Sequence, residues 1–149
     1  MNENRIEKQI ELRSPRSRVW KALTDYIEFG QWFGVKLEQG FIVGKTTRGM
    51  LTYPGLEHVE WAVDVKKMEP ESLFSFSWHP GAIDPAVDYS KESPTLVEFM
   101  LESTQTGGTI LTVVESGFEK IPANRRLEAF RMDEGGWVEQ LENVAKYVG

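Results

Sequence analysis

The side chains of this 149-residue chain whose chemistry could be put to use are His58, His79, Glu60, Glu98, Glu102, Glu115 and Arg48. A zinc site needs three or four convergent ligands. Two histidines far apart in sequence, with no short-spaced His/Asp/Glu cluster around them, do not supply these. The chain has no cysteine, so disulfides, thiolate metal sites and thiol nucleophiles are all excluded. Ser116-Gly117 lacks the Gly-x-Ser-x-Gly frame of a nucleophile elbow, and no glycine-rich phosphate loop is present. Accordingly no metal, no cofactor and no catalytic residue is assigned.

What remains is a set of polar anchors. His79 follows Trp78 at the start of a long irregular segment, where it could hydrogen-bond a ligand or serve as a base. A loop histidine with neither job is the commoner case. A hydrolase built on paired carboxylates needs two of them about 5–9 Å apart in a cleft. Glu98 and Glu102 alternate with Val97, Phe99 and Leu101, so they point away from the apolar face and do not form such a pair. Glu60 and Glu115 stay open, because strand ends and bulges change parity. Arg48, in Thr46-Thr47-Arg48-Gly49, could hold an anionic head group or be a surface charge.

The elements that must position these residues are legible from periodicity. Ile6, Ile10 and Leu12 alternate with Arg5, Glu7, Gln9 and Glu11, which predicts a half-buried first strand with Lys8 near its rim. Ser14-Pro15 reads as an N-cap and first helical residue, opening a helix to about Thr24. Asp25 can cap a second helix, Tyr26 to about Trp32, that ends before Gly34. Six strands follow: Val35–Glu38, Phe41–Thr52 (broken near Thr47–Gly49), His58–Glu69, Ser72–Trp78, Thr95–Ser103 and Thr109–Ser116. Several show one apolar and one polar face, as antiparallel sheets do. Turns are expected at Pro70-Glu71 and at Gln105-Thr106-Gly107-Gly108, the second closing a hairpin. The segment from His79 to Pro94 has three prolines and no periodicity. Loops that long inside a domain usually carry function or mobility. A helix from about Asn124 to Val148 closes the chain, with Leu127, Phe130, Trp137, Leu141, Val144 and Val148 as one apolar stripe. Gly135-Gly136 in its middle costs about 1 kcal/mol per glycine relative to alanine. The pair marks a bend or lets a backbone or ligand come close.

Composition narrows the partners. The length suits one domain, here taken as 1–149, able to build a core without staples. A net charge of −6 argues against nucleic acid, whose binding rests on lysine and arginine. No apolar run approaches the ~20 residues of a membrane span. Nor does the N-terminus carry the apolar stretch of a secretory signal. With no cysteine, a cytoplasmic location is expected. The chain is rich in aromatics, with 8 Phe, 5 Trp and 4 Tyr. Rings on inward strand and helix faces can fill a core or line a cavity.

The order strand, two short helices, six strands and a long helix resembles the START-like (SRPBCC, helix-grip) superfamily. Local wording narrows this to the branch named for the C-terminal domain of the Hsp90 ATPase activator. The matching stretches are the run from Ser14-Pro15 to Thr24-Asp25, Trp32-Phe33, Glu60-Trp61, Glu69-Pro70 and Phe76-Ser77-Trp78. Later come Thr95-Leu96-Val97-Glu98-Phe99, Gly108-Thr109-Ile110-Leu111-Thr112, Glu115-Ser116-Gly117-Phe118, and Gly135-Gly136-Trp137 with Leu141. Each is weak alone; in this order over nearly the whole chain they are specific. The resemblance implies an α+β fold: a curved antiparallel sheet of about seven strands wrapped around the C-terminal helix, with an elongated apolar cavity between them.

Lipid carriers, hormone receptors, aromatases, cyclases and the co-chaperone domain share this scaffold, so fold alone selects no activity. The expectation is a protein that binds a small apolar molecule, with Trp32, Phe33, Trp61, Phe76, Trp78, Phe99, Phe130 and Trp137 lining the cavity. His79, Glu60 or Arg48 would orient the ligand. A protein-interaction module of co-chaperone type, acting on an Hsp90-like ATPase, is the alternative. The co-chaperone has a separate N-terminal domain that nothing before Ile6 matches, which counts against a full activating role. An enzyme of cyclase, aromatase or hydrolytic type is a third reading and needs an acid/base pair in the cavity. A weak homodimer through a sheet edge or helix face stays open.

Overall fold

Asp25 opens a helix by accepting hydrogen bonds from the backbone N–H groups of Ile27 and Glu28. It thereby caps α2 (Tyr26–Phe33), which Gly34 ends in the left-handed region at φ 91°. α1 (Arg16–Thr24) precedes it and lacks a side-chain cap. Ser14, expected to supply that cap, instead donates its hydroxyl to the carbonyl of Val148 at 2.8 Å. The hydroxyl thus ties the start of the first helix to the end of the last one.

In the computed structural model, which describes residues 4–84 and 86–149, seven strands form one curved antiparallel sheet. The N-terminal reading of residues 1–3, and Pro85 of the long loop, lie outside these. The strands are β1 (Arg5–Leu12), β2 (Val35–Leu37), β3 (Thr46–Leu51), β4 (Glu60–Glu69), β5 (Leu73–Trp78), β6 (Thr95–Ser103) and β7 (Thr109–Ser116). Their order across the sheet is β1-β7-β6-β5-β4-β3-β2. The chain ends in α3 (Ala123–Val148). Among the described residues no helix is long and apolar enough to cross a membrane.

The hairpin turns fall where turn chemistry puts them. Glu71 takes φ 59° between β4 and β5, and Gly107 takes φ 86° between β6 and β7. A register shift between Val65 and Lys67 marks a bulge against β5, which bends the strand and adds to the sheet's curl. β3 departs from expectation. It starts at Thr46, not Phe41, and passes unbroken through Thr47–Gly49. Gly49 is there because β2 comes close: a side chain at that position would sit 2.2 Å from the Lys36 carbonyl.

The concave face holds the core. Phe74, Phe76, Val97, Phe99, Leu111 and Val113 from β5, β6 and β7 are fully buried. Each buried ring or branched chain contributes about 1.5–3 kcal/mol. α3 lies on that face, with Trp137 edge-on to Phe99 at 5.6 Å between ring centres. Its buried stripe is Ala129, Phe130, Asp133, Trp137, Leu141 and Val144. Leu127, assigned to the stripe by spacing, is 41% exposed. The helix starts at Ala123, so Leu127 lies in an early turn that rotates away from the sheet. α3 runs through Gly135-Gly136 as one helix, and a Cβ added at either glycine would meet nothing within 4 Å. No neighbouring backbone therefore requires these glycines.

Candidate functional site: a cleft with a buried carboxyl pair

Beside the glycine pair the molecule opens into a cleft of about 530 Å³. One wall is α3 from Met132 to Gln140; the others carry Phe33, Leu51, Tyr53, Trp61, Trp78 and Ile83. Tyr53 is held in place by a latch. Its hydroxyl donates to the Phe33 carbonyl, and Gln140 Nε2 donates to both the Tyr53 hydroxyl and the same carbonyl at 3.0 Å. The end of α2, the β3–β4 connection and α3 are thereby joined at one rim. A second chamber of about 190 Å³ adjoins the first beneath residues 79–83. It shares Trp61, Trp78, Ile83 and Asp133 with the cleft and adds His79 and Tyr89.

The floor is polar. Glu115 is fully buried on β7, on the same parity as Leu111 and Val113. Its carboxylate accepts from Trp78 Nε1 and Trp137 Nε1, both at 2.8 Å, and from the Thr95 hydroxyl at 2.5 Å. The two indoles stack at 5.6 Å between centres. One carboxylate thus fixes two ring walls, one from the sheet and one from the helix. Three of its roughly four acceptor sites are taken up in positioning, and the Asp133 carboxyl also hydrogen-bonds to it.

Asp133 lies one helical turn before Trp137 and is 9% exposed. Burial, and then the adjacent Glu115 carboxylate, push its carboxyl up to about 10, against a partial opposing pull from Arg125. It therefore carries its proton at neutral pH. Its Oδ2 has no hydrogen-bond partner among the described residues. An unpaired buried polar atom of this kind costs about 1–3 kcal/mol.

The long loop is anchored to α3. Arg125 grips the Glu92 carboxylate through Nε and Nη2 at 2.5–3.1 Å and lies over the Tyr89 ring at 4.8 Å. Both partners of the ion pair are mostly shielded from solvent.

Of the residues singled out from sequence, Phe33, Trp61, Trp78 and Trp137 stand on the cleft wall. His79 and Glu60 border the small chamber. Arg48 lies away from both, paired with the exposed Glu60 at 2.8 Å. Phe76 and Phe99 are packed in the core. Phe130 meets Phe118 at 5.2 Å, and Trp32 spends its indole N–H on the Ala22 carbonyl at 2.8 Å. Sequence reasoning missed Asp133 and left Glu115 undecided. Signals for both exist: Glu115 continues the Leu111, Val113 alternation, and Asp133 sits four residues before Trp137, on its face. Among the described residues no group of three or more His, Asp or Glu is placed to hold a metal ion.

Solved structures share this architecture. The chain superposes on DynU16, a protein of the dynemicin biosynthetic locus, with TM-score 0.72 and 23% identity over 97% of its own length. It spans 46% of DynU16's length. Protein MLL2253 from Mesorhizobium loti gives TM-score 0.74 and 23% identity, covering 96% of this chain and 95% of that one. The Aha1 dimer from Colwellia psychrerythraea gives TM-score 0.72 and 15% identity, covering 97% and 95%. At such identities the likeness is one of fold. No curated protein matches the chain in sequence. The family model described as "Activator of Hsp90 ATPase homolog 1-like protein" matches residues 13–149, and the chain belongs to that family.

Proposed function

We propose that the protein binds one small, mostly apolar molecule in the cleft between α3 and the sheet. The supporting observation is the cleft itself: about 530 Å³, walled by Phe33, Trp61, Trp78 and Trp137 with aliphatic neighbours. That volume lies within the usual range of small-molecule sites, roughly 300–1,000 Å³, and the mix of apolar wall and few polar groups is typical of them. Gly135 and Gly136 line the cleft without projecting into it, which gives the glycine pair a use that packing does not. The carboxyl pair fits binding better than hydrolysis. Glu115 is committed to three donors, so it acts as a fixed acceptor that orients the walls.

Native mass spectrometry of protein purified from its own host tests this reading. A co-purifying small molecule is expected on the wild type and not on Gly136→Leu, whose side chain would enter the cleft. Retention of the molecule by a folded Gly136→Leu variant, or a wild type free of ligand, would count against it.

A further inference from the structure

Two features of the cleft bear on the charge of what it takes. The first is its own charge. Among the described residues that line it there is no lysine, arginine or histidine, whereas Asp133 and Glu139 are both present. Glu139 is exposed and enters no ion pair among the described residues. The buried Glu115 carboxylate lies behind the wall, bonded to the N–H groups of Trp78 and Trp137. The adjoining chamber adds His79 and Glu60, the latter paired with Arg48. An anion in the cleft would meet like charge and find no cation to offset it.

The second feature is the walls. Phe33, Tyr53, Trp61, Trp78 and Trp137 put five aromatic rings around one opening. Trp61 stands at 87° to Trp78, with 6.0 Å between ring centres, so the rings form sides of a box and not parallel plates. Trp61 and Trp137 are nearly fully buried, but Trp78 and Tyr53 are half-buried and keep surface toward solvent. The face of an aromatic ring is the negative end of its quadrupole and attracts a cation. In Trp78 that face is enriched further. Its N–H donates to a carboxylate at 2.8 Å, which pushes electron density back into the indole.

We infer that the cleft takes an organic ammonium ion, its apolar body against the aromatic walls and its positive centre over the open part of the Trp78 ring, within the field of Glu139. A quaternary ammonium suits the walls well, because ring faces attract its charge and it has no N–H to satisfy. This rests on the cleft being a ligand site and names the class of ligand.

Three probes of similar shape separate the two ideas: trimethyl(2-naphthyl)ammonium, neutral 2-acetylnaphthalene and anionic 2-naphthoate, each titrated into the full chain by calorimetry. The cation is expected to bind about tenfold tighter than the ketone, and the naphthoate more weakly than either. Glu139→Gln, an isosteric change at an exposed position, should reduce the cation-to-ketone affinity ratio about threefold. Trp78→Phe, checked for folding by circular dichroism, should reduce the same ratio. Because a ratio is read, a general loss of cleft shape does not imitate either result. A ketone as tight as the cation, or a naphthoate tighter than it, overturns the ammonium assignment and leaves the cleft reading standing. A cation preference unchanged by both substitutions puts the charge elsewhere and overturns the assignment too. Failure of all three probes to bind overturns the cleft reading and this assignment together.

Discussion

Glu115 and Asp133 share a face of the core yet do opposite work. Glu115 accepts three hydrogen bonds, so Glu115→Leu would strand the Trp78 and Trp137 N–H groups and the Thr95 hydroxyl in the core. The expected cost is about 3 kcal/mol or more by urea denaturation, with a change in tryptophan emission as the stacked indoles lose their anchor. Asp133 is a proton-bearing carboxyl whose ordinary value, 3.8, rises to about 10 on folding. The folded state holds this proton more tightly than the unfolded one. Stability from this group is thus complete below about pH 4 and is lost as pH rises toward 10. Asp133→Asn removes that loss. The stability difference between variant and wild type should move in the variant's favour by up to about 1.4 kcal/mol per pH unit across this window. Denaturation at pH 5, 7 and 9 checks it; a constant difference contradicts it. Neither role was plain from sequence. Alternation puts Glu115 inward, but a charged residue at the end of a strand is usually outward. Asp133 was hidden because an apolar stripe is traced through its apolar members, which steps over the polar one.

Helices and strands were far more legible, because period and turn chemistry act locally. Asp25 and Gly34 bracket α2 as their types require, and β6 and β7 match their expected limits at both ends. Legibility failed where tertiary contact decides. Ser14 leaves its capping position to bond Val148 across 134 residues, and β3 starts late because Phe41 turns into the core. The glycine pair of α3 is the element-scale feature that function explains best. Neither glycine is required by a neighbour, so Gly135→Ala and Gly136→Ala should each stabilise the helix by about 1 kcal/mol. Thermal denaturation reads this directly; destabilisation would show that the pair serves the fold. The loop tether belongs to the same scale. Arg125→Ala removes the grip on Glu92 and Tyr89, so amides of residues 81–84 and 86–92 should exchange faster with solvent while the sheet is unaffected.

For the whole molecule, the sheet and α3 meet at two densities. Deep in the fold Phe99 and Trp137 are in contact and leave no gap, whereas toward the rim the same helix face, bared by two glycines, borders open space. The sequence distinguishes these regions poorly: Phe99 and Trp78 look alike as inward aromatics, and only assembly puts one in the core and the other on the wall. Family membership sets the scaffold, and the placement of a few side chains sets what it can hold. The most direct test follows the indole N–H signals of all five tryptophans by ¹H–¹⁵N NMR while 2-acetylnaphthalene is added. Signals of Trp61, Trp78 and Trp137 should shift together and saturate at one equivalent. Trp20 and Trp32 should stay in place, Trp32 because its N–H is held by Ala22 away from the cleft. Shifts spread evenly over all five, or no shift at any of them, would contradict a ligand in this cleft.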